Sequence, residues 1–134
     1  MEPTLEVKDQ FLVNKLSYLF SRPSRGDIVL LEAPYLKKDM IKRVIGMPGD
    51  NFSIDGGQVY IDGEPLEEEY TSYEYPEKIF MCDTIKEFTI PRDEYFVMGD
   101  NRDLSRDSRD WLEDPGLQSS TVSGDSIKGK VLIF

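Results

Sequence analysis

Short apolar runs recur along the chain, rich in β-branched and aromatic residues and separated by clusters of Gly, Pro, Asp and Asn. This is the strand-and-turn pattern of a mainly β domain, and helical periodicity is scarce. The predicted strands are Phe11 to Leu16, Asp27 to Leu31, Met40 to Ile45, Asn51 to Ile54, Gln58 to Ile61, Phe88 to Ile90, Tyr95 to Met98 and Lys130 to Phe134. Asp55-Gly56-Gly57 supplies residues tolerant of positive φ between two of them, so Asn51 to Ile61 reads as a hairpin, with a second turn at Asp62-Gly63.

Two stretches break the pattern. Residues 64–86 carry Glu67-Glu68-Glu69 and the tyrosines Tyr70, Tyr73 and Tyr75 with no clear period, which predicts a loop or small inserted subdomain. Arg and Asp alternate from Arg102 to Asp110, too polar for a strand and without an apolar helical stripe, which predicts a loop. No repeat or linker divides the 134 residues, so a single domain spanning 1–134 is expected.

Composition narrows the chemistry. The net charge of −10 opposes sequence-independent binding to nucleic acid or anionic lipid, so no nucleic-acid partner is expected. There is no histidine, which excludes Ser-His-Asp and Cys-His catalysis and histidine-ligated zinc. Any general base must be Lys, Asp, Glu or Tyr. The single cysteine, Cys82, can neither close an internal disulfide nor build a four-cysteine metal site. An EF-hand loop starting at Asp103 would need Gly where Ser108 stands and Glu where Asp114 stands, so no metal is expected. The longest apolar runs, such as Ile28-Val29-Leu30-Leu31, have four members, against about 20 for a membrane-spanning helix.

Three segments stand out as candidate chemistry: Met1-Glu2-Pro3-Thr4-Leu5, Ile41-Lys42-Arg43-Val44-Ile45-Gly46-Met47-Pro48-Gly49-Asp50, and Gly99-Asp100-Asn101-Arg102-Asp103-Leu104-Ser105-Arg106-Asp107-Ser108-Arg109. In a strand across 41–45, alternation places Ile41, Arg43 and Ile45 on one face and Lys42 with Val44 on the other. A lysine in apolar surroundings is disfavoured as a cation, and its free amine becomes available as a base near neutral pH. Spacing alone leaves a second reading open, in which Lys42 and Arg43 are solvated charges on an edge strand. The Gly99 to Arg109 stretch likewise reads equally well as an Asp-rich turn that satisfies its own backbone.

These segments, with Arg25-Gly26-Asp27-Ile28-Val29, resemble the successive sequence boxes of bacterial type I signal peptidases, in the family's order and over most of the chain. The resemblance implies a fold of antiparallel β-sheets with a small irregular inserted subdomain. It implies a serine endopeptidase that removes amino-terminal signal peptides from exported preproteins with a Ser/Lys dyad and no cofactor. Lys42 would be the general base and Ser105 would orient its amine, with Gly99, Asp100, Asn101, Asp107 and Arg109 in support, Asp100 and Arg109 as an ion pair. Met1, Pro3, Asp39, Met40 and Ile41 would contact the substrate, and residues 39–41 would offer it a strand edge. The domain would lie on the extracytoplasmic face of the cell membrane, held by an anchor not in this sequence.

The family's nucleophile is the serine immediately before Met-x-Pro-Thr-Leu, and the sequence starts at Met1, so the fragment as written is expected to be inactive. An alternative is a non-catalytic relative that binds peptides or assists assembly. A Ser/Lys self-cleaving regulator would require a DNA-binding domain and a cleavage segment, and neither is resembled here.

Overall fold

A computed structural model describes residues 1, 4, 12–19, 21–33, 38–71, 84–102, 105–111 and 120–132. The described strands are β1 (Leu12–Asn14), β2 (Ile28–Glu32), β3 (Asp39–Gly46), β4 (Asn51–Asp55), β5 (Gln58–Ile61), β6 (Glu64–Pro65), β7 (Ile85–Thr89), β8 (Glu94–Met98), β9 (Val122–Ser123) and β10 (Ile127–Leu132). The one-turn helix α1 (Ser108–Trp111) lies between β8 and β9. One sheet has six strands in the order β1-β10-β2-β3-β8-β9, and the other has four in the order β6-β5-β4-β7. All pairings are antiparallel.

Every strand predicted from the apolar runs is present within a few residues. The hairpin forms with Asp55 opposite Gln58, and Gly56 and Gly57 both adopt positive φ (56° and 84°), as a two-residue turn of this hand requires. Asp62 and Gly63 repeat the device between β5 and β6.

β8 reads Tyr95-Phe96-Val97-Met98 without alternation because both of its faces are covered. Tyr95 and Val97 join Val29, Leu31, Val44, Trp111 and Val122 in one core cluster. Phe96 and Met98 point the other way and join Ile45, Phe52, Ile54, Val59 and Ile90, bringing residues of both sheets into one cluster. The rings of Phe52 and Phe96 stack 4.2 Å apart between centroids, which ties β4 of the second sheet to β8 of the first.

Two expectations need correction. Ser108–Trp111 is helical rather than loop. Asp107 caps it: its carboxylate accepts from the Arg109 amide at 3.1 Å, and the Asp110 carboxylate accepts in return from the Asp107 amide at 3.0 Å. This reciprocal capping box stabilises a single turn that is too short for apolar periodicity to reveal. Within 64–86, residues 64–65 pair as β6 and the stretch from Ile85 belongs to β7. Residues 72–83 of that segment, with Tyr73, Tyr75 and Cys82, lie outside the described residues.

Candidate active site

Lys42 lies in the middle of β3, opposite Val29 of β2 and on the same face as Val44, as alternation requires. Only 7% of its surface is exposed. β3 pairs with β2 from Asp39 to Arg43 but with β8 only from Arg43 to Gly46. Among the described residues, the stretch Asp39–Lys42 therefore has an unpaired edge on the β8 side. The Lys42 side chain reaches the turn that follows β8.

The lysine amine donates to the Ser105 hydroxyl oxygen at 2.8 Å, and that hydroxyl donates to Asp107 Oδ2, also at 2.8 Å. The chain of donors has a direction. Ser105 has one proton and gives it to a carboxylate, so it can meet the amine only as an acceptor. A neutral lysine held this way keeps its lone pair free for another proton. Burial pushes the Lys42 pKa below its ordinary value; Asp107 and Asp110 act against this and Arg109 acts with it.

Asp107 is fully buried. Burial is the largest single influence and would raise its pKa, but the Arg109 guanidinium, the Gly99 amide and Lys42 together outweigh it, and the carboxyl titrates below its usual range. Arg109 grips it with Nε at 2.9 Å and Nη2 at 3.0 Å, and the Gly99 amide donates to it at 2.9 Å. Gly99 has a steric reason to be glycine. A Cβ there would stand 2.1 Å from Ser105 Oγ and 2.5 Å from Ser105 Cβ. The turn closes with the Ser105 amide donating to the Asn101 carbonyl at 3.0 Å.

The structure thus brings Lys42, Gly99, Asn101, Ser105, Asp107 and Arg109 together. The ion pair expected between Asp100 and Arg109 is not the one formed. Asp100 pairs with Arg43 in a bidentate contact of 2.9 and 2.8 Å, while Arg109 pairs with Asp107. Alternation sends Arg43 out of β3 on the face opposite Lys42, and there it meets Asp100 rather than Asp107. Sequence reading missed Arg43 as a functional partner, because its carboxylate lies 57 positions away and no local pattern points to it.

Of the expected substrate contacts, Met1 and Ile41 pack around Ile28 and Val131, Met40 packs on the core cluster below Lys42, and Asp39 pairs at the surface with Lys128 at 2.7 Å. Pro3 lies outside the described residues. The Thr4 hydroxyl donates to Asp100. Met1 therefore packs on the same cluster as Ile41, and Thr4 reaches Arg43 through Asp100, Ile41 and Arg43 being the two strand neighbours of Lys42. Among the described residues no group of acidic, Cys or His side chains could hold a metal, and no helix is long and apolar enough to cross a membrane.

Fold and site together define a class: an antiparallel β protein in which a buried lysine amine is held by a serine hydroxyl in a chain without histidine. A family model described as "Signal peptidase, peptidase S26" matches residues 1–134. The chain belongs to that family. It is 42% identical over 124 residues to the "Signal peptidase I" of Leptolyngbya laminosa, covering 83% of this chain and 56% of that protein. It is 37% identical over 116 residues to "Signal peptidase I P" of Bacillus subtilis subsp. natto, covering 84% and 62%. A crystal structure of a signal peptidase I from Enterococcus faecalis V583 superposes with a TM-score of 0.63 at 27% identity, covering 84% of this chain and 98% of that one. The chain spans a little over half the length of the curated relatives it matches.

Proposed function

We propose that residues 1–134 act as the catalytic domain of a signal peptidase I, a serine endopeptidase that removes amino-terminal signal peptides from exported preproteins. The observation that carries this reading is the buried Lys42 amine, 2.8 Å from a Ser105 hydroxyl whose own proton is committed to Asp107.

In this reading the nucleophile is the hydroxyl of a serine immediately preceding Met1. Neutral Lys42 takes its proton as the oxygen attacks the peptide carbonyl, and preorganised hydrogen-bond donors hold the oxyanion. The lysine then gives the proton to the leaving amine, the C–N bond breaks and an acyl-enzyme remains. Water, deprotonated by the same amine, hydrolyses the ester and restores the serine. The unpaired edge at Asp39–Ile41 supports an extended substrate adding as a strand. The cleft beside the Met1 and Ile41 cluster, where Ile28, Val131 and Leu132 stand among Asp27, Arg43 and Lys130, supports a side-chain subsite with apolar walls and a charged rim. The domain works at the extracytoplasmic face of the membrane, held by an anchor outside residues 1–134.

The test is preprotein cleavage by the chain extended upstream through its natural preceding residues, beside the same chain with Lys42→Ala. Cleavage after a small residue that is lost in the Lys42→Ala protein supports the reading. A folded extended chain that binds the signal peptide without cutting it overturns the peptidase reading in favour of a binding protein.

A further inference from the structure

The second sheet carries residues that reach the catalytic turn from outside the segments with candidate chemistry. After β6 the chain returns toward the first sheet through Leu66 to Thr71, and Glu68 and Tyr70 of this stretch meet Arg102 and Arg43. Arg102 is bound by the Glu68 carboxylate through both terminal nitrogens, one at 3.2 Å and the other closer, with side chains only 2% and 7% exposed. The Tyr70 hydroxyl donates to the same carboxylate at 2.8 Å, and its ring lies under the Arg43 guanidinium, 4.0 Å from the centroid. Burial and then the Glu68 charge raise the Tyr70 pKa, so the hydroxyl stays protonated as that donor. The Thr71 hydroxyl donates to the Glu68 carbonyl at 3.2 Å, fixing the local turn.

What Arg102 does with its remaining nitrogen connects this clamp to the site. Its Nε donates to the Gly99 carbonyl at 2.9 Å. Gly99 is the residue whose amide holds Asp107 and whose missing side chain makes room for Ser105. An arginine fork is rigid and planar, so fixing its two terminal nitrogens fixes the direction of Nε. The contacts run Glu68, Arg102, Gly99, Asp107 and Ser105, and they end at the Lys42 amine. In parallel, Tyr70 and Asp100 hold Arg43, the strand neighbour of Lys42, between a ring and a carboxylate.

We infer that Glu68 and Tyr70 are positioning residues: as a clamp from the second sheet they hold Arg102, and through it the Gly99 turn, in the geometry that aims Ser105 at Lys42. The inference rests on the peptidase reading for its catalytic consequence and on the described contacts for its structural one. It gives a part of the irregular segment after β6 a role in the site.

The test uses the upstream-extended chain with Glu68→Gln, which keeps the shape and removes the charge facing Arg102. Two quantities are read: kcat and KM on a preprotein, and amide hydrogen exchange of the folded protein. The expected result is a fall of about ten-fold in kcat at nearly unchanged KM, because the lysine is aimed less often. Exchange at the Gly99 and Ser105 amides should be about ten-fold faster, while amides of β4 and β5 keep their protection. A merely structural role would speed exchange across the whole second sheet and leave kcat per folded molecule unchanged, and that result overturns the inference. If Glu68→Gln does not fold, Tyr70→Phe replaces it. That variant keeps the ring under Arg43 and removes only the hydroxyl on Glu68, and about a three-fold fall in kcat with faster Gly99 exchange is expected; wild-type values for both overturn the inference. Should the wild-type chain not cleave while Glu68→Gln still loosens Gly99 and Ser105 alone, the peptidase reading fails and the clamp stands. Cleavage by both proteins at equal rates with equal exchange overturns the clamp and leaves the peptidase reading intact.

Discussion

Replacing Gly99 by alanine would put a methyl group where Ser105 already stands. The added Cβ lies 2.1 Å from Ser105 Oγ and 2.5 Å from Ser105 Cβ. Ordinary contact needs about 3.5 Å, so the serine has to retreat by about 1 Å or more. A change of rotamer moves the hydroxyl but not the Cβ, so the turn itself must shift. The Lys42 amine stands 3.5 Å from the new methyl and need not move. The variant thus separates the Lys42 amine from the Ser105 hydroxyl while leaving the amine in place. Overpacking of this kind costs about 1–3 kcal/mol. For a domain of this size each kcal/mol lowers Tm by about 3 °C, so a drop of about 3–9 °C is expected. Misaiming the amine should lower kcat by about 10- to 100-fold, with KM little changed. The assay is thermal unfolding followed by preprotein cleavage well below Tm. Gly124→Ala is the control, because its Cβ would meet only ordinary contacts at 3.4 Å. A Gly99→Ala protein with wild-type kcat and a Tm within a degree of wild type would refute the argument that this close approach sets the Ser105 position.

Other consequences follow from the buried charges. Asp107→Asn leaves the Arg109 guanidinium buried without its carboxylate, at a cost of about 3–5 kcal/mol in a urea denaturation curve. In the unmodified protein the folded pKa of Asp107 lies below the unfolded value of 3.8, so its contribution is complete above that pH and is lost as pH falls through the folded value. The urea midpoint should therefore fall across that acid window in the wild type and respond less in Asp107→Asn. Lys42→Met removes a buried amine whose folded pKa lies below 10.5. The cost of charging it is present below the folded pKa and is relieved as pH rises toward 10.5, so the variant should have a higher Tm than wild type at neutral pH, the gap closing in alkali. The same change should cut preprotein cleavage by about 100- to 10,000-fold, the contribution of a general base.

Apolar runs made most of the strands legible, because the longer central strands bury at least one face and β-branched or aromatic residues fill it. Lys42 was legible to the level of its face: sharing a side with Val44 placed it toward apolar residues, and the structure has it buried there. The remaining features were hidden for physical reasons. The helix at Ser108–Trp111 rests on a capping box rather than on an apolar stripe, and only the Asp107 to Asp110 spacing signals it. β9 has two residues and is held by pairing with β8, so nothing local distinguishes it. The Arg43–Asp100 pair and the Glu68 clamp on Arg102 join residues 57 and 34 positions apart, and such contacts are decided by how the sheets meet rather than by composition.

In the proposed function Lys42 is a buried amine, neutral when it acts and aimed by Ser105. The most direct test is titration of the Lys42 side chain by NMR in the folded protein, with Lys42→Met assigning its resonance. The account predicts a midpoint clearly below 10.5, and Lys42 titrating at 10.5 or above in a protein that remains folded would contradict it.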